Sequence, residues 1–125
     1  MPTDPRSIQL TPNFKLSEFL RAEDPMPAPW ILDNIYRLAN RLQVIRDLVG
    51  KPILINSGYR SPAHNQAVGG APQSQHLNGM AVDIVVTGMP AKELQALLKN
   101  WSGGMGCYQH YTHLDIRPQK ARWHL

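Results

Sequence analysis

Two strand-like runs, residues 104–109 and 112–117, stand almost back to back near the end of the chain. A parallel pair needs a crossover of a dozen or more residues, so these two runs can only pair antiparallel. Two further runs, 52–56 and 80–86, do not alternate regularly with the helical segments, which argues against a doubly wound parallel sheet. The expected fold class is therefore α+β, a small antiparallel β-sheet packed by helices.

The helical segments are read from spacing. Ile31, Ile35, Leu38, Leu42, Ile45 and Val49 recur every three to four residues, with Pro29 near the start and Gly50 after the end. A second amphipathic helix is expected from about Pro90 to Asn100, with Leu94, Leu97 and Leu98 inward and Gly103-Gly104 stopping it. Ser17 is expected to cap a short helix over Ser17-Glu18-Phe19-Leu20, and Ser61-Pro62 reads as an N-cap followed by Pro at the first position of one helical turn. Residues 1–12 are polar and Pro-rich, and an extended arm is expected there. At 125 residues the chain is expected to be one domain, 1–125, and a monomer.

Chemistry concentrates in two places. Ser74-Gln75-His76-Leu77-Asn78-Gly79-Met80-Ala81-Val82-Asp83 carries a His in a Gly-containing loop and an Asp on the strand that follows, and His110-Tyr111-Thr112-His113 lies downstream. Side chains alternate along a strand, so Asp83 shares a face with Ala81 and Val85, where an unpaired carboxylate would be costly. A cation offsets that cost. Two His and one Asp also match a zinc site that keeps a fourth position open for water or substrate. Asp115, two residues beyond His113 on the same face, competes with Asp83 as the carboxylate ligand. His64 and His124 are weaker rivals, and the single Cys107 reads as a small buried hydrophobe.

At these residues the chain resembles the zinc D-alanyl-D-alanine carboxypeptidases and endopeptidases that cut bacterial cell-wall peptides. The family pattern Ser-x-His-x-x-Gly-x-Ala-x-Asp is met by Ser74, His76, Gly79, Ala81 and Asp83, and its later strand His by His113. Its upstream element is met by Gly58-Tyr59-Arg60-Ser61 after the apolar run Ile53-Leu54-Ile55. The resemblance covers roughly residues 13–123 and implies a hedgehog/D-Ala-D-Ala peptidase-like fold, with Zn2+ held by His76, Asp83 and His113. It places Asp115 outside the ligand set, orienting a ligand His.

The resemblance also implies a mechanism. Zinc lowers the pKa of bound water toward ~7. The better-known members carry Glu or Asp three residues before the last His ligand as general base, and this chain has His110 there. An imidazole can serve, with an unperturbed pKa near ~6.5. Arg60 is the expected catalytic cation that stabilises the oxyanion and binds substrate, because a guanidinium presents a planar fork of donors. Ser74 is expected to orient substrate or hold the metal loop, and Tyr59 to pack.

The expected function is hydrolysis of D-Ala-containing bonds in peptidoglycan, as a D,D-carboxypeptidase or endopeptidase of the kind used as phage endolysins. The alternative is a non-catalytic wall-binding or phage structural module that keeps the fold. The net charge of +4 suits an anionic wall by attraction. Basic residues are scattered and aromatics are 7%, so nucleic acid is not an expected partner. No apolar run approaches the ~20 residues of a membrane span, and the first residues lack the apolar stretch of a signal peptide. The chain is expected to be made in the cytoplasm, or to have had an export signal removed, and to act at the cell wall.

Overall fold

A computed structural model describes residues 4–124. The longest element is α1, Pro29–Val49, entered through Pro29 at its first turn and closed by Gly50 in the left-handed conformation (φ 64°), whose N–H reaches the Arg46 carbonyl at 3.0 Å. Gly adopts that conformation without the Cβ clash other residues suffer. The inward stripe is Ile31, Ile35, Leu38, Ala39, Leu42 and Ile45, all buried. Truncating a side chain such as Leu42 to Ala would cost about 2–5 kcal/mol.

This stripe packs on one face of a five-stranded sheet. Its strands are β3 (Ile53–Ser57), β4 (Ala81–Val86), β5 (Gly104–Cys107), β6 (Thr112–Asp115) and β7 (Ala121–His124), following the short hairpin β1 (Gln9–Thr11) and β2 (Phe14–Lys15). The spatial order is β3-β4-β6-β5-β7. Neighbours pair antiparallel except β5 and β7, which run parallel, so the sheet is mixed rather than wholly antiparallel. Two short helices complete the fold, α2 (Pro62–Ala67) and α3 (Ala91–Leu97).

Strand alternation separates the two faces of the sheet. Val82, Ile84 and Val86 of β4, Leu114 of β6 and Met105 of β5 join the α1 stripe, Phe14, Phe19 and Leu94 in one core. Ala81, Asp83, His113, Asp115, Gly104, Gly106 and Trp123 belong to the opposite face. Asp83, His113 and Asp115 thus lie together on the side of the sheet that α1 leaves uncovered.

Several sequence expectations are corrected at this level. Residues 4–12 are not a free arm: Pro5–Ser7 forms a 3-10 turn, β1 pairs with β2, and Thr11 Oγ1 bonds Gln43 Oε1 of α1 at 2.8 Å. The rest of the expected arm, residues 1–3, lies outside the described residues. Ser17 sits inside a 3-10 turn, Leu16–Phe19, and the turn begins at Lys15, whose backbone N–H donates to Glu18 Oε2 at 2.7 Å. Helix α3 stops at Leu97, which is exposed, while Leu94 and Leu98, one turn apart, face inward. Ser61 does cap α2, accepting from the His64 N–H at 3.2 Å.

Candidate metal centre and its cleft

The site is built on one row across the sheet. Ser57 pairs with Asp83, Asp83 with His113, His113 with Gly106, and Gly106 with Trp123. Directly paired residues share a face, so Asp83 and His113 stand side by side. A register irregularity between Ile55 and Ser57 matters here. Ile55 pairs with the core residue Ile84, and the extra residue of the bulge turns Ser57 to the site face.

His76 reaches the row from outside the sheet. It lies in a 3-10 turn, Gln75–Asn78, whose cap Ser74 accepts the His76 N–H at 3.2 Å. The turn ends at Gly79 with φ 71°, and Asn34 of α1 donates to the Asn78 carbonyl at 3.0 Å. The His76 side chain is buried and points back over β4, with Nε2 3.3 Å from Asp83 Oδ1. His113 Nδ1 lies 3.1 Å from the same oxygen. One atom from each of His76, Asp83 and His113 lies within 4.8 Å of the others, as a shared metal ion requires.

The outer bonds set which nitrogen each ring offers. His76 Nδ1 is 2.7 Å from the Gly58 carbonyl, which can only accept, so Nδ1 carries the hydrogen and Nε2 keeps its lone pair toward Asp83. His113 Nε2 is 2.8 Å from Asp115 Oδ2, leaving Nδ1 to face the centre. Burial pushes the Asp83 carboxyl up, but the adjoining His113 and His76 rings, which donate to it when protonated, outweigh that and hold it well below the usual carboxylate range. Burial pushes His113 down, yet its bonds to Asp115 and Asp83 leave it above the ordinary imidazole value. Two imidazole nitrogens and a carboxylate oxygen, oriented by outer partners and open on one side, fit zinc.

That open side is a cleft of about 620 Å³. Residues 68–71 and 73–75 line it together with Arg60, Tyr108, Tyr111, Arg117, Trp123 and the three candidate ligands. A family model described as Peptidase M15 matches residues 12–115. The chain belongs to the Peptidase M15 family. This M15 chain is also 47% identical over 45 residues to a protein named zinc D-Ala-D-Ala carboxypeptidase from Streptomyces albus G, a match covering 35% of the chain and 18% of that protein. The matched stretch spans less than a fifth of that relative's length.

Other expected site residues of the M15 chain fall into two groups. Arg60 lines the cleft beside Asp83, with Nη2 3.4 Å from Asp83 Oδ2 and bonds to Ser57 Oγ at 3.2 Å and Asn65 Oδ1 at 3.3 Å. Ser74 lines the same cleft and caps the turn that carries His76. Asp115 is fully buried behind His113 rather than among the ligands, and receives Arg117 Nε and Nη2 at 2.8 and 2.7 Å and the Gly104 N–H at 2.9 Å.

His110 is the correction. His110 lies in the turn between β5, which ends at Cys107, and β6, which begins at Thr112. His110 is exposed and lines a separate pocket with Ile84, Met89, Leu94 and Thr112, on the core side of the sheet. It therefore does not stand where a base for this cleft must stand. Cys107 packs against the core, and His124, its register partner on β7, is exposed. His64 lines a third pocket with Phe19 and Tyr59. Tyr59 is buried, as packing requires.

Sequence reasoning missed the aromatic wall. Tyr108 and Tyr111 stack with centroids 4.4 Å apart and planes 8° from parallel, and Trp123 Nε1 donates to Tyr108 Oη at 3.0 Å. Burial raises the Tyr111 phenol, and the Asp83 charge adds to the rise. The alternation that placed Asp83 would have found Tyr111 when counted back from His113. Trp123 had no such signal, because Ala121-Arg122-Trp123-His124 lacks strand patterning and is held by non-local contacts, its pairing with β5 and the Arg122 bonds to the Gly103 and Lys99 carbonyls.

Proposed function

We propose that the chain is a zinc-dependent peptidase that hydrolyses D-Ala-containing peptide bonds of bacterial peptidoglycan, as a D,D-carboxypeptidase or endopeptidase. The observation that carries this reading is the convergence of His76 Nε2, Asp83 Oδ1 and His113 Nδ1 at the base of an open cleft in a chain of the M15 family. The substrate class is supported by the short match to the Streptomyces albus G protein. Bound zinc would supply a Lewis acid and lower the pKa of a coordinated water to about 7.

The chain's own residues do the rest. His76 and His113 present fixed lone pairs, because Gly58 and Asp115 hold their other nitrogens. Arg60 projects its guanidinium along the Asp83 side of the cleft, where it can bind a substrate carbonyl or terminal carboxylate through paired donors. Ser74 holds the His76 turn in register. The cleft volume of about 620 Å³ leaves room for a short peptide segment, and the net charge of +4 favours approach to an anionic wall. A role as a phage endolysin acting at the wall belongs to the same proposal.

The test incubates the zinc-loaded protein with an N-acylated peptide ending in D-Ala-D-Ala and, separately, with cross-linked wall fragments. Release of D-Ala from the first identifies a carboxypeptidase, and cleavage of the second an endopeptidase. His76→Ala should abolish both zinc binding and cleavage. A zinc-loaded wild type that cuts neither substrate but sediments with wall material would sink the enzyme reading in favour of a wall-binding module.

A further inference from the structure

Among the described residues lining the cleft, none is an uncommitted carboxylate or imidazole. Asp83 is held by His76, His113 and Arg60. Asp115 is fully buried and saturated by His113, Arg117 and the Gly104 N–H. His110 lies on the other face of the sheet. Apart from the committed Asp115, the polar group nearest in sequence on the face of His113 is the hydroxyl of Tyr111, which lines the same cleft as Arg60.

Tyr111 is also unusually well fixed. Its ring lies flat on Tyr108, whose hydroxyl is anchored by Trp123 Nε1, and Trp123 is itself set by the β5–β7 pairing at Gly106. Gly106 makes this possible. A Cβ there would come within 2.8 Å of Tyr108 Cε2 and would collide with the indole of Trp123, so only Gly leaves room for the stack. A donor held in place before substrate arrives stabilises developing charge without reorganising.

We propose that the Tyr111 hydroxyl is a catalytic hydrogen-bond donor to the scissile carbonyl oxygen as it becomes an oxyanion, acting together with Arg60, which lines the same cleft. The proposal rests on the peptidase reading above. As the water oxygen bonds to the carbonyl carbon, the C=O π pair moves onto oxygen, which accepts hydrogen bonds from Tyr111 and Arg60. Tyr111 keeps its proton throughout. When the pair returns, the C–N bond breaks and the leaving amine takes up a proton from the attacking water. The sum is amide plus water giving acid plus amine.

Tyr111→Phe tests this, because it keeps the ring stack and removes only the donor. Bound zinc, kcat and KM on an N-acylated D-Ala-D-Ala peptide, and inhibition by a phosphinate analogue with tetrahedral phosphorus at the scissile position are compared with wild type. Zinc content and KM should hold within about twofold while kcat falls about 100-fold, the loss typical of one oxyanion donor. Phosphinate inhibition should weaken in step with kcat/KM, as expected for a contact made in the transition state. Tyr108→Phe, which frees the stack from Trp123, should lose less. Unchanged kcat, a loss confined to KM, or a loss of zinc from Tyr111→Phe would overturn the proposal. An inactive zinc-loaded wild type would overturn the peptidase reading, and this role with it, whereas an active wild type with an indifferent Tyr111→Phe would overturn the role alone.

Discussion

Asp115 Oδ2 lies 2.8 Å from Nε2 of His113, and this contact between residues two apart on one strand decides which nitrogen of the ring faces Asp83. The carboxylate is itself immobilised, with no exposed surface and paired donors from Arg117. The space it occupies exists because residue 104 is Gly, whose N–H donates to Asp115 Oδ1 at 2.9 Å. Ligand orientation in this protein is therefore a property of β5 and β6 together.

Asp115→Asn should weaken zinc binding about 10–100-fold, the usual cost of losing a partner that orients a ligand His. Competition against a chelator of known affinity measures it. Affinity equal to wild type would mean that packing alone orients the ring.

His110→Ala should leave kcat/KM on a D-Ala-D-Ala peptide within about twofold of wild type, because a base must reach the water it deprotonates and His110 lines a different pocket. A loss of 100-fold or more, with zinc retained, would restore the base role that the family resemblance implies.

The metal-free protein should show a stability maximum between roughly pH 4 and 6.5. Burial raises Asp83 and Asp115, but their bonds to His113 and other donors outweigh it and hold both below the ordinary 3.8. Their contribution is complete above that value and is lost as pH falls through the lower folded values. His113 runs the other way: burial lowers it, its carboxylate partners raise it above 6.5, and its contribution is complete below 6.5 and lost as pH rises through the folded value. Urea midpoints from pH 3 to 8 would trace the dome, and zinc should flatten its alkaline side by replacing the His113 proton. Midpoints that keep rising with pH would contradict the His113 assignment.

Gly79→Ala should destabilise the fold by about 1–3 kcal/mol, since Ala resists positive φ and overpacking adds its own cost. Gly79 has φ 71°, and a Cβ there would come within 2.8 Å of Ile31 Cγ2 and 2.9 Å of Ile35 Cγ1 on α1. The same shift should displace His76, so chemical denaturation and zinc titration should both register it. A variant with wild-type stability would show that the turn is free to move away from α1.

The sequence by itself determined the periodic elements and the residue types of the centre. The stripe from Ile31 to Ile45, the β-branched run of β4, and the spacing of His76, Asp83 and His113 are local patterns, and local pattern is what a linear reading detects. The tertiary structure decided what depends on parity and on non-local pairing. The family resemblance pointed to His110 as the base, but the β5–β6 turn places His110 in a separate pocket and gives Tyr111 to the cleft. Strand β7 has little strand propensity of its own and is ordered by parallel pairing with β5 and by Arg122 bonds to the Gly103 and Lys99 carbonyls, which bring Trp123 across Gly106 to anchor Tyr108. Such contacts join residues through hydrogen bonds between strands distant in sequence, so no window along the chain contains them.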